Sequence, residues 1–220
     1  MNKKKVLTSL VATSMLGGLF VGGLSANAAT IDSDDTIVKF GFKDEDYNPP
    51  KSGPLALQWT PSEFNFGVNH ELEAGVTKSY PKQGTQDMYV VVNEERADTS
   101  NVWKVTAALS AIKDSTGYAL PGAEVQIQLA SVHNYTSDNA PNNANMGAAT
   151  TEAVSASSTL NLTQGGAAVD VYGAKAGGSV KGKYAVKMNG IKLTKVDNTA
   201  GDEGKQFTGN ITWNLEDTAL

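Results

Sequence analysis

Apolar residues in this chain alternate with polar ones over short stretches, and no segment keeps the 3.6-residue apolar spacing of an amphipathic helix. Side chains two residues apart on a strand point to the same face, so the alternation predicts strands with one buried face. Gly, Asn and Pro interrupt the stretches at short intervals, as turns between strands would. The chain is therefore predicted to be all-β, a single β-sandwich or barrel-like domain of about ten strands.

The clearest predicted strands lie in the middle of the chain. Residues 125–129 alternate and predict a half-buried strand, whereas residues 88–92 are continuously apolar and predict a strand covered on both faces. Residues 133–149 are rich in Asn and Ala and predict a long surface loop. Asn189-Gly190 lies between two alternating stretches, residues 183–188 and 191–196, and predicts a two-residue hairpin turn.

The first 28 residues have the pattern of an export signal. Lys3-Lys4-Lys5 supplies a basic start, residues 6–24 are mostly apolar, and Ala26-Asn27-Ala28 fits the small-x-small rule for signal peptidase. Glycine pairs interrupt the apolar run, which favours a cleaved signal peptide over a retained anchor. We therefore predict cleavage after Ala28, secretion, and no membrane-spanning segment in the mature chain.

The mature chain is acidic and contains no cysteine, which excludes disulfides and a lipid-anchored cysteine. A secreted chain of this kind fits a Gram-positive bacterium. Removal of residues 1–28 takes away three lysines and no acidic residue, so the net charge falls from −5 to −8. Nucleic acid is therefore not an expected partner. We predict a leader and first strand over residues 29–54, with that strand at 36–42, and the β domain over residues 55–220.

Two of the three tryptophans lie in similar triplets, Trp103-Lys104-Val105 and Trp213-Asn214-Leu215. On a strand, each triplet puts an indole and an aliphatic side chain on one face. These side chains can belong to the core, or they can line a groove that stacks on sugar rings or holds an apolar anchor of a partner, because an indole combines a large apolar area with one N–H donor. The candidate binding residues are Trp103, Val105, Trp213 and Leu215.

These motifs resemble those of the WxL-domain surface proteins of low-GC Gram-positive bacteria. Residues 55–57 followed by Phe64-Asn65-Phe66-Gly67 are similar to the family's early strand and its FG stretch. Residues 102–106 are similar to its first WxL motif, with Val105 in place of leucine, and residues 207–218 are similar to its terminal motif. The resemblance covers essentially the whole mature chain.

The resemblance implies a non-enzymatic secreted protein that attaches non-covalently to the cell wall, with peptidoglycan or another wall polymer as its partner. It also implies complexes with other exported surface proteins or binding to a host extracellular protein. The chain has no LPxTG-type sorting motif, so attachment by binding is the expectation. The alternative is a secreted protein–protein interaction subunit or adhesin that does not bind glycan directly.

Lysines are concentrated between residues 175 and 195, where no acidic residue occurs. Such a run commonly lies on solvated strand faces, where lysines also discourage pairing between sheet edges. The alternative is a basic patch that meets carboxylates or phosphates of the wall or an acidic partner. The candidate patch residues are Lys181, Lys183 and Lys187.

The chain supplies few groups for catalysis. His70 and His133 are far apart in sequence, there is no cysteine nucleophile, and the H-E-x-x-H, G-x-S-x-G and phosphate-loop motifs are missing from the sequence. The acidic turn at residues 197–203 does not follow EF-hand spacing. We therefore expect no enzymatic activity, no cofactor and no metal site.

Overall fold

The computed structural model describes residues 30–39, 47–68, 70–71, 75–76, 78–97, 102–175, 180–195 and 202–220. These residues form thirteen strands and one short 3₁₀ turn, Asn143–Asn145. The strands are β1 Thr30–Lys39, β2 Leu55–Trp59, β3 Glu63–Asn65, β4 Lys78–Pro81, β5 Met88–Glu94, β6 Lys104–Leu109, β7 Glu124–Tyr135, β8 Met146–Ala149, β9 Ala153–Ser155, β10 Thr159–Thr163, β11 Val169–Ala174, β12 Gly182–Lys195 and β13 Gly209–Glu216. The predicted all-β fold class is confirmed.

The strands are arranged in two sheets. A six-stranded sheet has the order β3-β1-β13-β6-β11-β9, and a seven-stranded sheet contains β10-β7-β12-β5-β2, with β4 paired to β12 and β8 paired to β7. The alternating apolar residues of both sheets form one buried cluster between them. Burial of this apolar surface is the main stabilising contribution to the fold.

Strand β5 is buried along its whole length, as its continuous apolar run predicts. Its core-facing side includes Val90, whose carbonyl accepts a hydrogen bond from the Tyr172 hydroxyl at 3.2 Å. Its other side carries Tyr89, whose hydroxyl donates to Asn143 Oδ1 at 2.6 Å. Asn143 belongs to the segment between β7 and β8, residues 136–145, which covers this face of the sheet and is named the β7–β8 segment below.

The first strand begins earlier than the sequence predicts, at Thr30 rather than Thr36. Residues 30–38 pair antiparallel with β13, and residues 37–39 pair parallel with β3. Residues 30–39 of the predicted leader are thus part of the six-stranded sheet. The predicted export signal, residues 1–28, lies outside the described residues and stays a prediction. In the part of the chain that the structure describes, no helix is long and apolar enough to cross a membrane.

The hairpin predicted at Asn189-Gly190 is wrong. Residues 182–195 form one continuous strand, β12, which pairs with β7 on both sides of this dipeptide. The register shifts between Asn189 and Lys192, and Gly190 has φ of +53° while no described non-glycine residue has a positive φ. A left-handed glycine serves a bulge as well as a hairpin turn, and here it makes a bulge.

The predicted loop at residues 133–149 is shorter in the structure. Strand β7 continues to Tyr135, and β8 pairs back onto it in the register His133↔Ala149 and Tyr135↔Met146. Only the β7–β8 segment remains outside the strands, and it contains the short 3₁₀ turn. The Asn142 side chain caps that turn by accepting a hydrogen bond from Ala144 N at 2.8 Å.

Candidate functional site

The two tryptophan triplets lie side by side in the six-stranded sheet. Strand β6 follows Trp103 directly, and it pairs antiparallel with β13 in the register Leu215↔Val105 and Trp213↔Ala107. Their apolar side chains share one face of the six-stranded sheet. This face is turned toward the core and not toward solvent.

All four residues proposed as binding elements are fully buried, with exposed fractions of 0% for Trp103, Val105, Trp213 and Leu215. A direct contact with a wall polymer or a partner needs accessible surface, which these side chains do not have. The core interpretation therefore describes them, and the binding interpretation does not. Their role is to hold the two sheets together.

The contacts of the two indoles fit that role. Trp213 Nε1 donates to Thr36 Oγ1 at 2.7 Å, and Thr36 Oγ1 in turn donates to the Pro61 carbonyl. The Trp103 ring meets the Tyr172 ring edge-on at 5.3 Å between centroids and lies 5.8 Å from the Tyr184 ring. Trp213 thus joins β13 to β1, whereas Trp103 joins β6 to β11 and to β12 of the other sheet.

Arg96 links the two sheets near the ends of β6 and β13. Arg96 Nε lies 3.0 and 2.9 Å from the two carboxylate oxygens of Glu94, a residue with no exposed surface. Arg96 Nη1 also donates to Asp217 at 2.6 Å, and its Nη2 donates to the Val102 carbonyl at 2.9 Å. Hydrogen bonds to Glu94, above all, raise the pKa of Arg96. One side chain thus ties β5 to residues beside β6 and β13.

The three lysines of the predicted basic patch are not brought together as free charges. Lys183 is paired with Asp138, and Lys187 Nζ lies 2.8 Å from Asp87 Oδ1. The hydrogen bond from Lys183 lowers the pKa of Asp138. Lys181 is exposed. Because two of the three have acidic partners, the structure shows no uncompensated patch at these positions.

A concave surface lies on the outer face of the seven-stranded sheet. A register shift between Leu57 and Trp59 places Trp59 opposite Val91, which lies on the same side of β5 as Tyr89. Leu57 stays between the sheets, whereas the bulge turns Trp59 to the outer face, where only 9% of the residue is exposed. On a regular strand, Leu57 and Trp59 would point to the same face, so the sequence does not predict this groove.

Trp59 and Tyr47 form the aromatic part of this surface, which we name the outer groove. Their rings meet edge-on with centroids 6.1 Å apart. The outer groove has a volume of about 720 Å³ and is lined by Tyr47, Trp59, Gln86, Asp87, Ala140, Pro141, Asn142, Asn143 and Ala144. The last five belong to the β7–β8 segment. The volume is within the usual range for small-ligand sites.

A polar network fixes one wall of the outer groove. Asn143 Nδ2 donates to Asp87 Oδ2 at 2.5 Å, while Asn143 Oδ1 accepts from the Tyr89 hydroxyl and from Lys187 Nζ, the latter at 3.3 Å. Burial, and after it the charge of Asp87, raises the pKa of Tyr89 to about 12, so the phenol stays a donor at neutral pH. The Tyr47 hydroxyl donates to the Asp87 carbonyl at 3.0 Å. The network attaches the β7–β8 segment to β5 and β12.

One donor at the groove is left without a partner. Trp59 Nε1 is buried and makes no hydrogen bond among the described residues, although Trp59 lines the groove. An unpaired buried donor costs roughly 1–3 kcal/mol, and the folded domain carries this cost beside the groove. Trp59 thus belongs to the buried apolar cluster and also lines the groove.

The two histidines do not meet. The His70 ring packs against the Tyr80 ring, with centroids 4.2 Å apart and planes tilted by 43°, and His133 Nδ1 lies 2.9 Å from the Gly147 carbonyl oxygen. In the described part of the chain, no group of three or more His, Cys, Asp or Glu residues could hold a metal ion.

Comparison with known proteins gives one result. The family model for the WxL domain, described as surface cell wall-binding, matches residues 34–219 of the 220. The match begins inside β1 and ends after β13, so it takes in both sheets. No curated protein sequence and no solved structure matches the chain.

Proposed function

The chain belongs to the WxL-domain family of surface cell wall-binding proteins, and we propose that it holds to peptidoglycan non-covalently through the outer groove. Family membership supports a wall polymer as the partner and the cell surface as the location. The proposal adds three points: the polymer is peptidoglycan, it binds in the outer groove, and the protein does not cleave it.

The chemistry of the outer groove is the observation that carries the proposal. A sugar presents apolar C–H faces and a rim of hydroxyl groups. The groove offers the accessible parts of two aromatic residues, Tyr47 and Trp59, each 9% exposed, beside the amides of Asn142 and Gln86. Such a site combines apolar contact area with a few polar groups that fix orientation.

The groove is also pre-organised. Asn143 is held from three directions by Asp87, Tyr89 and Lys187. Within the β7–β8 segment, Asn145 N donates to the Asn142 carbonyl at 3.1 Å. Less conformational freedom is then lost when a glycan strand binds, which favours affinity.

A binding role suits the lining better than hydrolysis. Glycosidases need two carboxyl groups on either side of the scissile bond, roughly 5–10 Å apart. Asp87 is the one carboxylate among the residues that line the groove, and it is engaged by Lys187 and Asn143. The proposal is therefore attachment without chemical change to the glycan.

Blocking the outer groove should weaken attachment. Ala144 is exposed and lines the groove, so Ala144→Arg should fill it without disturbing the core. We expect the Kd for purified peptidoglycan, measured by co-sedimentation of the mature chain, to rise by about tenfold or more. The matched control is Ala167→Arg, which adds the same charge at an exposed position before β11.

Equal retention of the two variants would contradict the proposed site. In a second outcome, the parent chain and the control sediment only after another wall protein is added. Attachment would then depend on a protein partner. That outcome would favour the alternative of an interaction subunit.

A further inference from the structure

A second cavity lies next to the outer groove and shares Asn143 with it. It has a volume of about 340 Å³ and is lined by Tyr89, Ala130, His133, Asn143, Met146, Gly147, Ala185 and Lys187. Its base is the outer face of the seven-stranded sheet, where Ala185 pairs with His133 and Lys187 with Tyr89. A glycan in the outer groove would have its neighbouring unit at this cavity.

The lining combines a small apolar surface with polar groups. Ala130, Ala185 and Met146 supply the apolar part, and Lys187 Nζ supplies a donor. His133 Nδ1 lies 2.9 Å from the Gly147 carbonyl, which can only accept, so Nδ1 carries a proton and donates. In the tautomer with the proton on Nδ1, Nε2 is the nitrogen that can accept a hydrogen bond.

The charges at this cavity favour a neutral group over an anion. The Lys187 ammonium is 2.8 Å from the Asp87 carboxylate, so its charge is already compensated. A phosphate or carboxylate entering here would meet Asp87 as well as Lys187. A neutral group with one hydrogen-bond donor and one acceptor would lose less hydration free energy on entering the cavity than an anion would.

From this lining we infer that the second cavity recognises the acetamido group of an N-acetylated hexosamine. The methyl group would lie against Met146 and the two alanines, the amide oxygen would accept from Lys187 Nζ, and the amide N–H would donate to His133 Nε2. The inference rests on the proposed function, because it assigns the sugar class that the same glycan-binding face selects.

The test compares two neutral β-1,4-linked tetrasaccharides that differ in the acetamido group. Chitotetraose carries it on every ring, and cellotetraose has hydroxyl groups instead. Titrated calorimetrically against the mature chain, chitotetraose should bind with a Kd at least about tenfold lower than that of cellotetraose. Ala130→Leu, which fills part of the second cavity, should remove that preference.

Ala108→Leu is the matched control, because Ala108 is likewise half-buried but lies on β6 of the other sheet. It should leave the preference intact. If thermal unfolding shows that Ala130→Leu does not fold, the smaller Ala130→Val takes its place with the same expectation.

Equal affinity for the two sugars, or no measurable binding of chitotetraose, overturns the inference, as does an unchanged preference in the folded Ala130 variant. If the inference alone fails, Ala144→Arg will still weaken sedimentation with peptidoglycan. Failure of the proposed function would remove that sensitivity too, so the two failures can be told apart.

Discussion

Trp213→Ala is expected to destabilise the domain by roughly 3–5 kcal/mol, the usual cost of truncating a buried tryptophan. The indole has no exposed surface, and it contributes a hydrogen bond of 2.7 Å to Thr36 on β1. The variant would leave a cavity between the sheets and remove the hydrogen bond that the Thr36 hydroxyl accepts. Urea unfolding of the mature chain, followed by far-UV circular dichroism, measures the loss.

The conservative variant separates core packing from ligand contact. Trp213→Phe keeps most of the ring but removes the N–H, so it should cost only about 1–2 kcal/mol and leave the domain folded. Because the indole does not reach the surface, the folded Phe variant should sediment with peptidoglycan like the parent chain. A folded Trp213→Phe protein that no longer sediments would show that this residue contacts the wall after all.

Arg96→Met should have a comparable effect for a different reason. Glu94 has no exposed surface, and Arg96 is the cation that the structure places on its carboxylate. Removing one partner of a buried ion pair leaves an uncompensated buried charge and costs roughly 3–5 kcal/mol. The change also releases Asp217 and the Val102 carbonyl, which Arg96 holds at 2.6 and 2.9 Å. The midpoint of urea unfolding is the measurement.

A double variant tests that explanation. Glu94→Gln combined with Arg96→Met removes the buried charge together with its partner, so a large part of the lost stability should return. If the double variant is less stable than Arg96→Met alone, the unpaired carboxylate is not the cause. Loss of the bonds to Val102 and Asp217 would then account for the effect.

The sequence predicted the fold class and many strands because these depend on local periodicity. Alternation at residues 125–129 and the apolar run at residues 88–92 are sufficient to predict strands β7 and β5, and the structure confirms both. The bulge at Gly190 could not be told from a hairpin turn. Both need a left-handed glycine, and the partner strand that decides between them is distant in sequence.

The same limit applies to the tryptophans. Alternation shows that Trp103 and Val105 share a face but does not show which way that face points. Packing of the second sheet against it decides the matter, and Tyr184 of β12 supplies one of those contacts. Both interpretations were consistent with the triplets, and the tertiary structure is needed to separate them.

The outer groove was missed because its parts are far apart in the chain. Tyr47, Trp59, Asp87 and Asn143 come from four separate segments. The asparagine- and alanine-rich stretch at residues 139–145 looks like an ordinary surface loop, and its fixed position depends on the hydrogen bonds of Asn143. The local signal in the sequence is an aromatic pair near prolines, Tyr47 and Trp59.

The central claim is that the wall ligand meets the outer groove and leaves the tryptophan triplets in the core. The three tryptophans can test this claim in one experiment, because each indole N–H gives its own signal in a ¹⁵N-correlated NMR spectrum of the mature chain. Titration with soluble peptidoglycan fragments should shift the Trp59 signal and leave those of Trp103 and Trp213 in place. A spectrum in which the signals of Trp103 or Trp213 move while that of Trp59 stays fixed would contradict it.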